Sequence, residues 1–347
     1  MRAVVFTEFG GTPYVDEIDP PVPDATAAII RVEATGVCRS DWHGWMGHDP
    51  DVHLPHVPGH EFAGVVTAVG EQVTKWRPGD RVTVPFVCAC GTCAACLVGE
   101  HQVCEHQTQP GFTHDGSFAE QVRIDHADIN LVRLPESVDF VSAAALGCRF
   151  ATAFRAVRAH GHVHSGQWVA VHGCGGVGLS AVMIAAELGA NVVAIDVSAE
   201  ALLLARELGA VATIDATAVH DVGTAVIEVT GGGAHVSLDA FGSEESLAAS
   251  IESLRRRGRH VQVGLLPEAL GRPTVPMARV VWLELSLHGS HGMAAHDYPP
   301  MIDLVAAGTL KPGLLVRDII PLADAPAALM AMSGASPVGA TVVLPHG

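Results

Sequence analysis

Residues 167–198, QWVAVHGCGGVGLSAVMIAAELGANVVAIDVS, decide the fold of half the chain. The run from Trp168 to His172 is apolar without alternation, as in a strand buried on both faces of a parallel sheet. Gly173-x-Gly175-x-x-Gly178, with Gly176 and Val177 inside it, then opens a helix that runs to Leu188. Its glycines permit a tight turn, close approach of backbone to a pyrophosphate, and close packing of helix on strand, while the helix N-terminus presents free N–H groups to an anion. Asp196 ends the next strand about 20 residues on, where a carboxylate binds both ribose hydroxyls of NAD and repels the 2′-phosphate of NADP. A glycine pattern alone is weak evidence. Set between a strand and a helix, it predicts a dinucleotide site with a preference for NAD.

Working outward, short apolar strands are predicted at 211–214, 235–240, 260–264 and 285–289, separated by helical or linker stretches such as 199–208 and 244–255. That makes six strands with crossovers, a doubly wound α/β sheet. Residues 1 to about 145 differ: AAIIRVEATGVC, FAGVVTAVGEQV and GDRVTVPFV are β-rich runs broken by Gly and Pro, as in a compact barrel-like domain. Beyond about 290, YPPMIDLVAAGTLKP and ADAPAALMAM suggest helices, and GATVVLP a last strand returning to the first domain.

Composition narrows the function. With 347 residues, 49% of them hydrophobic, the chain can build two ordinary cores. The formal charge of −17 repels nucleic acid and anionic lipid over most of the surface, so neither is expected as a partner. The first ten residues, MRAVVFTEFG, lack the apolar block of a secretion signal, and no apolar run is long enough to span a bilayer; a cytoplasmic protein is expected.

Cysteines in a reducing compartment more often ligate metals, catalyse or fill cores than form disulfides. Five of the eight fall in VCACGTCAACLVGEHQVC at 87–104. Cys90, Cys93, Cys96 and Cys104 form C-x-x-C-x-x-C-x7-C, with Gly91 and Gly99 allowing sharp bends; Cys88 stands outside the spacing as a spare thiol. Four thiolates close a tetrahedral zinc site and leave no open position, although an iron–sulfur cluster also uses four cysteines. A second, dispersed set comprises Cys38 in GVCRSDWH, His60 and Glu61 in PGHEFAG, and Cys148 in ALGCRF. Two sulfurs and an imidazole leave a fourth zinc position free, as a catalytic site requires. Each of these residues alone signals little in a chain with 20 histidines.

The order of these motifs resembles the zinc-containing alcohol dehydrogenases of the medium-chain dehydrogenase/reductase superfamily over essentially the whole length. The resemblance implies a GroES-like catalytic domain at 1–148 with its zinc lobe at 88–104, a Rossmann NAD domain at 149–288, and a return to the catalytic domain at 289–347. It implies two zinc ions per subunit: a catalytic one on Cys38, His60 and Cys148, with Glu61 as an alternative ligand, and a structural one on the four-cysteine lobe. Asp41 would accept the outer N–H of His60. Ser40 would take the substrate hydroxyl proton and pass it towards His43, Arg39 would grip the pyrophosphate, and Phe86 would line the substrate pocket. The reaction so implied is reversible hydride transfer between an alcohol and NAD+, giving an aldehyde or ketone, in a homotetramer or, in other branches, a dimer.

Two departures from the family stand out. Near the C-terminus, where many relatives carry an arginine that contacts the pyrophosphate, this chain has Gly339 and Ala340; and Cys174 sits inside the glycine turn. Related polyol and threonine dehydrogenases commonly place a glutamate where Cys148 stands, which favours simple alcohols over polyols. Polyol, amino-alcohol and formaldehyde dehydrogenases remain alternatives, as does, more remotely, a non-catalytic NAD-binding protein, which would have no need of Ser40, His43 and an open zinc position together.

Overall fold

The computed structural model describes residues 1–266, 272–334 and 338–347. The chain forms two compact units, Met1–Ala151 with Gly292–Gly347 and Thr152–His291. The divisions thus fall at 151/152 and 291/292, against the 148/149 and 288/289 expected, because the helical turn carrying Cys148 runs on through Phe150 before the chain leaves the first unit.

In the second unit six parallel strands lie in the order Ala210–Asp215, Asn191–Asp196, Trp168–His172, Ala234–Asp239, Leu254–Gln262, Ser286–Gly289. In chain order this is 3-2-1-4-5-6, a doubly wound sheet whose strand order reverses beside the first strand. The glycine turn follows that strand, at its carboxyl end, where such sheets bind ligands. Helices Gly176–Glu187 and Ala199–Glu207 fall where expected, whereas Glu244–Glu252 stops short of the expected 255 because strand Leu254–Gln262 begins there rather than at 260; Ser198 and Ser243 cap the last two helices. Helix Val222–Thr230 fills an inter-strand stretch that the sequence leaves open between helix and linker. Its β-branched VGTAVIEVT disfavours helix, but Asp221 caps it and Val226 is fully buried, so packing overrides propensity.

His172, which ends the first strand, is buried, and its Nε2 has no hydrogen-bond partner among the described residues. Burial, with His260 adding to it, lowers its pKa to about 3. The unfolded chain takes up that proton near pH 6.5 and the folded chain does not. Stability is therefore complete above about 6.5 and falls towards about 3, at about 1.4 kcal/mol per pH unit for one proton. Replacement of His172 by Gln is expected to flatten that slope in urea titrations between pH 6 and 4; an unchanged slope would place the acid-sensitive group elsewhere.

The first unit is built on a seven-stranded sheet. Val316–Pro321, Ala340–Leu344, Ala28–Val37, Glu61–Val69, Arg81–Thr83 and Val132–Arg133 lie side by side, and Gln121–Ile124 also pairs with Ala28–Val37. Ile30, Phe62, Val66, Val82, Val122 and Ile124 fill its core. The last strand pairs antiparallel with Ala28–Val37 through Thr341↔Val37, which returns the C-terminal segment to this unit. Pairing of Gly36 with Glu61 brings the end of one strand beside the start of the next, so Cys38 and His60 meet at the same sheet end. No helix among the described residues is long and apolar enough to cross a membrane.

Candidate metal centres and cofactor turn

Cys38, His60, Glu61 and Cys148 each offer a ligand atom, and these atoms all lie within 4.8 Å of one another. Cys38 precedes helix Arg39–Trp45 and Cys148 lies in a π-helical turn, Leu146–Phe150, a distortion often found at functional sites. Buried Asp41 ties the cluster together. Its Oδ1 accepts from His60 Nδ1 at 2.6 Å and from Gly59 N at 3.1 Å, while its Oδ2 accepts from Cys38 N at 2.9 Å. His60 therefore turns Nε2 towards the thiols, and that buried nitrogen, facing Cys38, has no partner at hydrogen-bonding geometry among the described residues. A fixed imidazole with an idle inner nitrogen beside two sulfurs fits zinc. The hydrogen bond between the two thiols pulls Cys38 well below its ordinary pKa and pushes Cys148 well above.

Around these ligands stand Phe86, which the sequence places in the substrate pocket, Phe112, and two residues that the sequence does not single out, Arg149 and Tyr298. Arg149 forms a buried, bidentate ion pair with Glu61. Tyr298 is fully buried and donates from its hydroxyl to Gly147 O at 3.1 Å, tying the returning C-terminal segment to the Cys148 turn. Phe86 and Phe112 stand edge-on to His60, with ring centres 6.3 and 5.3 Å away. No motif in the sequence marks Arg149 or Tyr298.

Helix Arg39–Trp45 carries both residues expected to move protons. Ser40 Oγ lies 3.8 Å from Cys38 Sγ, and His43 Nδ1 lies 3.0 Å from His48 Nδ1, a neighbour the sequence reading did not include. Burial, then the charges of His48 and Arg39, lower the pKa of His43 below 6.5. The Arg39 guanidinium rests over Trp42 and donates to the carbonyls of Met332 and Gly334. Gly339 has φ +89°, and a Cβ there would stand 2.6 Å from Arg317 Cγ, so an arginine is poorly accommodated at this position.

Cys90, Cys93, Cys96 and Cys104 form the second cluster, their sulfurs within 4.8 Å of one another. Cys93 and Cys104 sulfurs are 3.7 Å apart, far beyond a disulfide and close to the ~3.8 Å edge of a tetrahedron with ~2.3 Å zinc–sulfur bonds. In an iron–sulfur cluster the cysteines divide among several irons and spread further, so the compact set fits one ion. Backbone N–H groups of Thr92, Cys93, Cys90 and His106 point at the sulfurs of Cys90 and Cys104 over 3.3–3.4 Å, as suits thiolates. Gly91 at φ +76° and Gly99 at φ +88° make the bends. Cys88 is buried in the sheet core, and burial raises its pKa, as for Cys174; both are packing residues rather than reactive thiols.

In the second unit, each glycine of the turn has its own use. Gly173 has φ +89°, Gly175 caps the helix with open space before it, and a Cβ on Gly178 would stand 1.8 Å from Gly173 O. Asp196 accepts from Cys174 N at 2.6 Å and from Ser198 N at 2.8 Å, so it braces the turn. This cradle suits a dinucleotide pyrophosphate. A cavity of about 400 Å³ lined by Arg255, Arg256, Arg257, Arg259, His162 and His235 lies at the amino end of the same sheet, the end opposite the glycine turn.

Comparison with known proteins agrees with this geometry. Residues 24–136 match the family described as "Alcohol dehydrogenase GroES-like domain", and residues 176–307 match "Zinc-binding dehydrogenase". The chain is 34% identical to an alcohol dehydrogenase of Geobacillus stearothermophilus over 90% of each chain, and 35% identical to one of Moraxella sp. (strain TAE123), again over 90% of each. The solved alcohol dehydrogenase TADH from Thermus sp. ATN1 superposes with a TM-score of 0.90 at 33% identity, covering 99% of both chains. Zinc and a nicotinamide dinucleotide are the cofactors that these domains and clusters serve. Fold, clusters and relatives agree: the chain belongs to the zinc-dependent alcohol dehydrogenases of the medium-chain dehydrogenase/reductase superfamily.

Proposed function

We propose that the enzyme oxidises simple alcohols with NAD+ and reduces the corresponding aldehydes or ketones, using Cys38, His60 and Cys148 as ligands of a catalytic zinc. The observation that carries this reading is the unpartnered, buried Nε2 of His60, held towards two thiols by Asp41. Zinc in that place supplies a Lewis acid that polarises the substrate oxygen, and the dinucleotide supplies or accepts the hydride. The chain's own residues do the rest. Asp41 fixes the His60 tautomer, Phe86 and Phe112 exclude water from its flank, and Ser40, one turn from His43, takes the hydroxyl proton towards it. The closed lobe of Cys90, Cys93, Cys96 and Cys104 holds a structural zinc. Elemental analysis is expected to find two zincs per chain, with chelation removing one together with turnover of an alcohol panel. One zinc surviving with no turnover would overturn the catalytic assignment.

His43 accepts a proton only when neutral, so activity rises with pH through its pKa. Because that pKa lies below 6.5, the acid limb of kcat/KM for oxidation is expected below pH 6.5. Replacement of His43 by Ala is expected to lower kcat by about tenfold to a hundredfold, with partial rescue by small buffer bases. An unaltered limb in the variant would exclude His43.

Asp196 supports NAD+ over NADP+, since a carboxylate beside the ribose repels a 2′-phosphate. Its replacement by Ala is expected to cut kcat/KM for NAD+ by about 10- to 100-fold, the worth of a charged hydrogen bond, while NADP+ gains. Equal losses with both cofactors would reduce Asp196 to a brace for the turn. Assembly with further copies of the chain, as a homotetramer or a dimer, is supported by the edge strand Ser286–Gly289 and by helix Met277–Leu283, which buries no residue and exposes Val281 and Trp282.

A further inference from the structure

Glu61 follows His60 and is fully buried, and one of its oxygens lies within 4.8 Å of the ligand atoms of Cys38, His60 and Cys148. A carboxylate there competes with substrate for an open zinc position. In this chain it is already engaged: Oε1 accepts from Arg149 N and Nε, each at 2.9 Å, and Oε2 accepts from Arg149 Nη2. Three N–H groups of a single residue therefore hold it, two on Oε1 and one on Oε2, in the fork geometry that guanidinium and carboxylate favour. The opposite strand leaves room for the pair, since a Cβ on Gly36 would stand 2.8 Å from Glu61 Oε2 and 3.0 Å from Arg149 Nη2. Arg149 also follows Cys148 in the π-helical turn, so the turn that delivers a ligand delivers the clamp.

Building on the ligand assignment above, we propose that Arg149 is a positioning residue that holds Glu61 off the metal and keeps the fourth position open to substrate. Loss of the fork frees the carboxylate to enter that position, exchanging a substrate-accepting site for a closed one.

Cobalt(II) in place of the catalytic zinc, titrated with imidazole as a neutral ligand for the open position, reads this directly through its visible spectrum. In Arg149→Gln the apparent imidazole affinity is expected to fall about tenfold or more, with a changed starting spectrum, as for a competing anionic ligand. Adding Glu61→Gln to that variant is expected to return the affinity to within about twofold of the parent, because the competitor is gone. Equal affinity in Arg149→Gln, or no recovery in the double variant, overturns the proposal. Should Arg149→Gln fail to fold, Arg149→Lys keeps the charge without the fork and is expected to lose about threefold, and an unchanged value there overturns it too. A parent that binds no thiolate-ligated cobalt at this cluster overturns the ligand assignment and this proposal together. A parent that binds cobalt and responds to imidazole, with variants that match it, overturns the role of Arg149 alone.

Discussion

Replacing His60 by alanine is expected to lower kcat/KM for alcohol oxidation by about a thousandfold or more and to remove one of two zincs per chain. A Lewis acid at a developing charge contributes several kcal/mol, and each 1.36 kcal/mol is a factor of ten. Cys38 and Cys148 alone cannot hold the ion, since two ligands leave half of its tetrahedron unfilled. The variant also strands Asp41, which is buried and keeps only its bonds to the backbone N–H groups of Cys38 and Gly59. Some loss of stability therefore accompanies the loss of metal. Asp41→Asn separates the two effects. It leaves the three ligands in place but weakens their orientation, and is expected to reduce zinc affinity at this site by about 10- to 100-fold. Turnover above a tenth of the parent's in His60→Ala, with both zincs retained, would sink the assignment.

The sequence disclosed those parts of the molecule whose chemistry is local. Gly173, Gly175 and Gly178 are legible because a positive φ, an open cap and a 1.8 Å approach each exclude a side chain at a fixed spacing. The four-cysteine lobe is legible because its ligands fall within one bend-rich segment. Cys38, His60 and Cys148 were legible only through the order of motifs, since their meeting depends on the pairing of Gly36 with Glu61 and on a distant helical turn. The Glu61–Arg149 pair was invisible for the same reason. Its partners are 88 positions apart, and no periodicity records a contact set by strand register and a π-helical turn. Helix Val222–Thr230 was hidden for another reason: its propensity contradicts its structure, and only tertiary burial decides between them. His48 was passed over because a histidine beside a histidine carries no motif; it matters only because its Nδ1 stands 3.0 Å from that of His43.

Cys93→Ser is expected to have the opposite profile to His60→Ala: loss of the other zinc and of stability, with catalysis little affected per folded molecule. Metal binding to such clusters is folding free energy, about 10–16 kcal/mol in small zinc peptides, and here its loss falls on a lobe with little else to hold it. Helix Ala94–Leu97 is one turn long, Leu97 and Val98 are exposed, and the apolar residues around the sulfurs are mainly Ala89, Ala95 and Ile129. The base of the lobe stays anchored, because Asn130 Oδ1 accepts from Ala89 N at 2.7 Å and Asn130 Nδ2 donates to Ala89 O at 3.0 Å. Unfolding should therefore stay within the lobe, appearing as proteolysis near 90–104 and a fall of about 10 °C in Tm, as for a loss of a few kcal/mol. Cys88→Ala is the control: that thiol lies in the core of the sheet, outside the cluster, and its removal should cost about 1 kcal/mol of packing without loss of metal. Two zincs and an unchanged Tm in Cys93→Ser would show that these four sulfurs do not share an ion. Loss of catalytic zinc in the same variant would show instead that the lobe supports the Cys38, His60 and Cys148 cluster.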